Sequence, residues 1–283
     1  MTDNAADRVS FRRILVAVDT SAHSRAALDA AITLAQIMEA DVRGLFVRDT
    51  EWFHISRLPF ISEVGELTGE VRPIPEQAMK EQVRLLERRI QHMAELIKKH
   101  SDVSYSWESV SGSVTDQILE ASKEADLITL GRISHSFFEK KTLGKLAQAV
   151  IEKSDKPVLV LQEGLTLGKV ILAVYDGSEQ SQRGLKTALS LAEKTGRELI
   201  VLALRNDPQG LEERDKSVEE LLEQTDIDVG ITFIDQPQLW SFIRLLKRFG
   251  YGMLIIPENQ PLVTENSVGT LITLLNRPIL LMN

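Results

Sequence analysis

The sequence predicts an α/β protein made of two similar halves, each a doubly wound domain with a five-stranded parallel sheet. Three observations predict this: short apolar runs alternate with amphipathic helical stretches, the alternation occurs twice, and each first run ends at an aspartate. Strands that alternate with helices pair in parallel through right-handed crossovers, with helices on both faces of the sheet. The ligand crevice of such a sheet lies at the carboxyl ends of its strands.

The first half starts with an apolar run at residues 14–18, which predicts a strand. The run stops at Asp19, Thr20 and Ser21, and all three are favourable residues for a helix N-cap. The helix that follows has apolar residues at spacings of three and four, namely Leu28, Ala31, Ile32, Ala35 and Met38. Further strands are predicted over residues 42–47, 103–110, 127–130 and 158–161, and helices over residues 77–99, 114–122 and from Gly144.

The second half repeats this order 157 positions later. The apolar run at residues 171–175 stops at Asp176, Gly177 and Ser178, and a helix with the same apolar offsets follows. Further strands are predicted over residues 198–204, 228–234, 253–256 and 279–282, and helices over residues 211–224 and 238–249. A repeat of this length indicates a duplicated domain, so we divide the chain into residues 1–165 and 166–283.

One long insertion distinguishes the halves. Residues 49–76 carry Trp52, Phe53 and Phe60 and have no counterpart in the second half. A long loop with its own aromatic residues either packs on its own domain or serves as a lid or partner surface. Both interpretations remain open.

The composition excludes several functional classes. The chain has 283 residues, no cysteine and a net charge of −8, which excludes thiolate metal sites and cysteine nucleophiles and argues against nucleic-acid binding. A polar N-terminus and the lack of a long apolar run predict a cytoplasmic protein without a membrane segment. The five histidines lack zinc-ligand spacing, no nucleophile elbow occurs, and Glu139 interrupts a P-loop pattern. We predict no catalytic residue and no metal site.

The stretch from residue 126 to residue 161 has the layout of an anion site. A strand ends at Gly131, a polar loop follows, and Gly144 opens a helix, whose first turn offers unpaired N–H groups. From Gly131 to Lys145, the latter included, the sequence has four basic residues and one acidic residue. A lysine in the first turn opposes the helix dipole, and a bound anion would remove that conflict. The alternative is that these lysines form a solvated loop.

Together these residues resemble the tandem form of the universal stress protein family over nearly the whole chain. The two aspartate turns match the end of the family's first strand. Gly131, Ser134, Gly144 and Lys145 stand at the positions of its nucleotide-binding glycine pattern, and Pro157 leads into the last strand. The resemblance implies two domains with the adenine nucleotide alpha hydrolase-like fold.

The resemblance also implies a nucleotide site in the first half. Ala17, Asp19 and Val47 would line the adenosine part of the pocket. Ribose and phosphates would be surrounded by Gly131, Arg132, Ser134, Gly144, Lys145 and Leu146. Two residues depart from the family pattern, since Ser134 replaces a glycine and Lys145 replaces a hydroxyl residue. Asp19 has a competing role as an N-cap and could serve both purposes.

The second half has largely lost the pattern. Pro257 and Gln260 replace the leading glycines, and Gly269 arrives one residue early. Pro278 then follows too soon, so the last helix is predicted to be about one turn shorter. Glu258 and Glu265 give this stretch a negative charge. We therefore expect ATP in the first half and not in the second.

The expected function is a universal stress response protein that binds ATP or another adenine nucleotide as a regulatory ligand, with at most slow hydrolysis. The alternative is a tandem stress protein without nucleotide binding, acting as a scaffold for a protein partner or a small ligand. Members of the family pair through their last strands, so the two halves are expected to form a pseudo-dimer within one chain. A further homodimer remains open.

Overall fold

A computed structural model describes most of the chain. It covers residues 11–19, 21–50, 62–64, 71–73, 76–100, 102–132, 143–205, 211–223, 225, 227–250, 252–258 and 265–283. Most of the insertion at residues 49–76 lies outside this part, so its role stays a prediction.

Strands and helices alternate as the sequence predicts. The first half contains β1 (Arg13–Ala17), α1 (Ala22–Met38), β2 (Asp41–Asp49), β3 (Ser62–Val64), β4 (Val71–Pro73), α2 (Glu76–His100), β5 (Tyr105–Gly112), α3 (Val114–Ser122), β6 (Leu127–Gly131), α4 (Lys145–Lys153) and β7 (Val158–Leu161). The second half contains β8 (Val170–Tyr175), α5 (Glu179–Thr195), β9 (Glu198–Arg205), α6 (Leu211–Glu223), β10 (Val229–Asp235), α7 (Leu239–Arg248), β11 (Met253–Pro257), α8 (Glu265–Leu275) and β12 (Ile279–Met282).

Ten strands form one sheet in the order β10-β9-β8-β11-β12-β7-β6-β1-β2-β5. Every neighbouring pair is parallel except β12 and β7, which pair antiparallel with Ile279 opposite Val160 and Leu281 opposite Val158. The predicted α/β class is confirmed. The two five-stranded sheets meet at their last strands, which is the internal pairing that the resemblance implies. Inside the insertion, β3 and β4 form a separate antiparallel pair that the sequence analysis missed.

The core lies on both faces of the sheet and runs through both halves. One apolar cluster lies under α1, α2, α5 and α6, and the other under α3, α4, α7 and α8. Adjacent side chains of a strand point to opposite faces, so the wholly buried residues Ile14 and Leu15 of β1 enter different clusters. Strands buried on both faces read as continuous apolar runs, which is why they could be recognised in the sequence.

The first helix of each half starts with the same hydrogen-bonded turn. The Ser21 hydroxyl accepts a hydrogen bond from the Ser24 N–H at 3.1 Å, and Asp19 Oδ1 accepts one from the Ser21 N–H at 2.8 Å. In the second half, Ser178 and Asp176 make the equivalent bonds at 3.1 and 2.9 Å. The N-cap is therefore the serine, while the aspartate holds the turn in front of it.

This cap gives a testable prediction in the second half, away from the candidate site. Ser178→Ala is expected to lower the free energy of unfolding by about 1 kcal/mol, because the Ser181 N–H loses its acceptor. Ser178→Asp keeps an acceptor and should stay close to wild type. Urea unfolding of the three proteins checks this, and equal losses in both variants would contradict the capping role.

The predicted shortening of the last helix is wrong. Helix α8 has 11 residues against 9 in α4, and Gly269 lies inside it rather than at its start. The helix begins earlier, at Glu265. Gly269 is therefore not the counterpart of the helix-opening Gly144.

Candidate functional site

A cavity of about 480 Å³ lies at the carboxyl ends of β1, β2 and β6. Its volume falls in the range of small-molecule sites, about 300–1,000 Å³. The position is the one where doubly wound sheets bind ligands, since the strand order reverses direction at β1 and β6.

Six of the nine predicted site residues line this cavity, namely Ala17, Asp19, Val47, Gly131, Lys145 and Leu146. The other two that the structure describes, Arg132 and Gly144, close the base of the intervening loop. The Arg132 N–H donates to the Leu161 carbonyl at 2.6 Å, and the Gly144 N–H donates to the Arg132 carbonyl at 2.9 Å. Ser134 lies outside the described residues, so its role stays a prediction.

The start of α3 contributes a wall of the cavity that was not predicted from the sequence. Ser113, Val114 and Thr115 line the cavity here, and Ile118 lies one turn further along the helix. Ser113 occupies the N-cap position of α3 with extended backbone angles. The sequence does show hydroxyl residues on either side of the predicted helix start. It does not show that this helix start lies beside Asp19.

Three helix N-termini meet this cavity. Ser21 and Ser24 belong to the start of α1, Val114 and Thr115 to the start of α3, and Lys145 to the start of α4. The first turn of a helix carries unpaired N–H groups and the positive end of the dipole. Three such ends at one cavity favour a negatively charged ligand.

Gly131 has a structural reason that does not depend on a ligand. A Cβ at this position would lie 2.8 Å from the His23 carbonyl carbon and 2.9 Å from the Ser24 nitrogen. Glycine is therefore required for the first turn of α1 to pack against the end of β6. The same close approach brings the α1 N-terminus to the cavity.

Asp19 combines a structural contact with a place in the cavity wall. Its carboxylate accepts the Ser21 N–H, and its own N–H donates to the Ser24 hydroxyl at 2.8 Å. Asp49, at the end of β2, also lines the cavity. The lining therefore contains carboxylates near β1 and β2 and a cation at α4.

A cation lies just after β6, close to His23 in the first turn of α1. Burial lowers the pKa of the Arg132 guanidinium, which is half-buried just after β6. Burial, followed by the charge of Arg132, also lowers the pKa of His23. His23 Nδ1 accepts a hydrogen bond from the Glu163 N–H at 3.0 Å, which requires that nitrogen to be unprotonated. The positive charge here therefore resides on Arg132, while His23 acts as a hydrogen-bond acceptor.

The corresponding end of the second-half sheet has the opposite charge. Pro257 pairs with Met282 in the second half as Gly131 pairs with Leu161 in the first. The Glu258 N–H then donates to the Met282 carbonyl at 3.0 Å, as the Arg132 N–H does to the Leu161 carbonyl. Glu258 thus replaces Arg132. Burial and then the charge of Glu152 raise the pKa of Glu258 to about 7. A carboxyl group in this place is unfavourable for a phosphate.

Among the residues that the structure describes, no group of three or more histidine, aspartate or glutamate side chains is arranged to hold a metal ion. No helix there combines the length and apolar character needed to cross a membrane.

Comparison with known proteins identifies the family. The profile of the universal stress protein family matches residues 10–162. A universal stress protein of Methanocaldococcus jannaschii is 27% identical over 157 residues, which cover 54% of this chain and 83% of that protein.

Solved structures show the same fold over nearly the full length. A universal stress protein from Archaeoglobus fulgidus has a TM-score of 0.71 and 17% identity, with 96% of this chain and 98% of that chain covered. A putative universal stress protein from Pseudomonas aeruginosa has a TM-score of 0.63 and 15% identity, covering 96% and 93%. At these identities the structural likeness indicates the fold alone. With the profile matching more than half of its length, the chain belongs to the universal stress protein family.

Proposed function

We propose that this stress protein binds ATP or another adenine nucleotide as a regulatory ligand in the cavity of its first half. The observation that carries the proposal is the convergence of three helix N-termini and Lys145 on one cavity at the carboxyl ends of the strands. Phosphates are the ligand group that suits such an arrangement. Membership of a family with this fold supports the same function.

The cavity offers different chemistry along its wall. Ala17, Leu45 and Val47 contribute an apolar surface from β1 and β2, which suits a purine ring. The carboxylates of Asp19 and Asp49 can accept hydrogen bonds from ribose hydroxyls. Lys145, together with the hydroxyls at the starts of α1 and α3, suits the phosphates.

We propose binding rather than turnover as the signal. Asp19 Oδ1 already accepts the Ser21 N–H within the structure, so this oxygen is engaged in holding the turn and is not positioned as a dedicated general base. Hydrolysis would then rest on positioning alone and would be slow. The regulatory signal would then be whether nucleotide occupies the cavity, and not the formation of a hydrolysis product.

Lys145→Ala is expected to weaken ATP binding by about fivefold to tenfold, because one charge-assisted contact to phosphate is lost. Equilibrium dialysis or calorimetry with the full chain measures this. Lys153→Ala is the matched control, since Lys153 lies in the last turn of the same helix, away from the cavity. Its affinity should equal that of wild type.

Two outcomes would contradict the proposal in different ways. Equal ATP affinity of wild type and Lys145→Ala would show that Lys145 does not contact the phosphates. A wild-type chain that binds no adenine nucleotide at millimolar concentration would favour the scaffold alternative. A valine at Gly131 is not a useful probe, because its side chain would collide with α1 whether or not a ligand binds.

A further inference from the structure

The outer strand of the second half exposes an apolar surface that its counterpart in the first half does not. Ile231 and Phe233 lie on the same face of β10, with exposed fractions of 36% and 37%. Arg205 of β9 lies over the Phe233 ring at 4.1 Å from its centroid and is 3.7 Å from Asp235. We call Arg205, Ile231, Phe233 and Asp235 the β10 surface.

The internal repeat identifies the matching positions in the first half. Gly44 pairs with Trp107 and Phe46 with Ser109, while 157 positions later Val201 pairs with Ile231 and Ala203 with Phe233. Trp107 therefore corresponds to Ile231 and Ser109 to Phe233. By the same shift, Arg48 corresponds to Arg205.

In the first half, helix α2 covers these positions. The Ser109 hydroxyl donates to Glu87 Oε1 at 2.7 Å, and Arg48 lies 3.6 Å from the same carboxylate oxygen. Val83 and Leu86 of α2 pack against the apolar cluster, and Ile90 is buried in it. The spacing of residues 83, 86 and 90 is that of an amphipathic helix face, with Glu87 beside it.

In the second half, the described helix is shorter. Helix α6 has 13 residues against 25 in α2, and it packs against β9 through Val218, Leu221 and Leu222. Measured back from the strand that follows each helix, α6 corresponds to the C-terminal half of α2. Glu87 then corresponds to Leu211, the first residue of α6. Only five residues separate β9 from α6, so the second half has no room for the part of α2 that precedes Glu87 and carries Val83 and Leu86.

We propose that the β10 surface binds an amphipathic helix of a partner protein, and that this helix carries a carboxylate opposite Arg205. The first half shows how such a surface is covered, because α2 packs an apolar stripe and Glu87 against the equivalent strand. Apolar side chains about one turn apart are the usual means by which an amphipathic helix binds an apolar surface. Arg205 supplies the charge complementarity, as Arg48 does in the first half.

The test uses the full chain and a labelled synthetic peptide of residues 76–100, the sequence of α2, as the probe in fluorescence anisotropy. Saturable binding is expected. Phe233→Asp should weaken it at least tenfold, and a peptide with Glu87→Gln should bind about threefold more weakly. Trp240→Ser is the matched control, because this 64% exposed side chain belongs to α7, on the other face of the sheet. Ile231→Lys gives a second variant, and thermal unfolding confirms that each variant is folded.

Three results would overturn the proposal. The peptide could bind no better than a scrambled peptide of the same composition. It could bind equally well to wild type and to both β10 variants. Sedimentation velocity could show a concentration-dependent dimer that Phe233→Asp abolishes, in which case a second copy of the chain occupies the surface. None of these outcomes depends on nucleotide binding in the first half.

Discussion

Gly252→Ala is expected to lower the free energy of unfolding by about 3 kcal/mol or more. The added Cβ would lie 2.4 Å from the Gly168 Cα and 2.4 Å from the Leu167 carbonyl oxygen. Both are backbone atoms, so no side-chain rotation can relieve the contact, and overpacking of this kind costs about 1–3 kcal/mol or more.

Two backbone segments meet at this point without any side chain between them. Gly168 lies in the connection between the halves and has a φ of +63°, and its own Cβ would lie 2.3 Å from the Gly252 Cα. The Gly252 N–H donates to the Val170 carbonyl at 2.8 Å, which ties the start of β8 to the approach to β11. A shift at Gly252 would therefore disturb the entry of two central strands.

Gly250→Ala is the matched control, because a methyl group at Gly250 would enter open space. We expect it to stay within about 0.5 kcal/mol of wild type. Urea unfolding followed by circular dichroism compares the two variants. Equal stability of Gly250→Ala and Gly252→Ala would show that the segment before β8 moves freely, contrary to the close backbone contact.

Glu258→Gln is expected to flatten the dependence of stability on pH. The pKa of Glu258 is raised to about 7 by burial and by the charge of Glu152. Between the ordinary glutamate pKa and about 7, the folded chain holds a proton that the unfolded chain has released. Stability therefore falls as the pH rises through this window, because the carboxylate becomes charged in a half-buried place.

Between pH 5 and pH 8, the free energy of unfolding is expected to fall by about 1–2 kcal/mol more in wild type than in Glu258→Gln. This figure allows for solvent screening of a partly exposed group. Urea unfolding at pH 5, 6, 7 and 8 gives the two profiles, and their difference isolates Glu258 from the other titrating groups. Glu152→Gln should reduce the dependence only in part, since burial is the larger cause. Parallel profiles for wild type and Glu258→Gln would contradict the raised pKa.

The sequence was sufficient to predict the ten strands of the main sheet, but not the β3-β4 pair. Residues 14–16 of β1 are apolar because both faces of the sheet are covered, so a continuous run was visible without knowledge of its neighbours. The repeated aspartate turn fixed the correspondence between the halves. The doubly wound topology, with its crevice at the carboxyl ends of the first and fourth strands, predicted that Asp19 lies beside Gly131, although more than a hundred residues separate them.

Other features depend on contacts that no local pattern encodes. Gly131 was interpreted as a glycine for a ligand, whereas the structure gives it a packing role against His23 and Ser24. Gly269 was taken to open a helix, but α8 starts at Glu265. The wall from Ser113 to Thr115 became part of the site only because the sheet order places α3 next to β1 and β2.

The antiparallel pairing of β7 with β12 limits how the molecule can assemble further. Both strands have neighbours on each side, and among the residues that the structure describes the outer edges of the sheet belong to β5 and β10. Pairing within one chain therefore uses the edge strand of each half's own five-stranded sheet. Any further strand pairing has to occur at β5 or β10, which belong to different halves, so the two ends of the sheet can bind different partners.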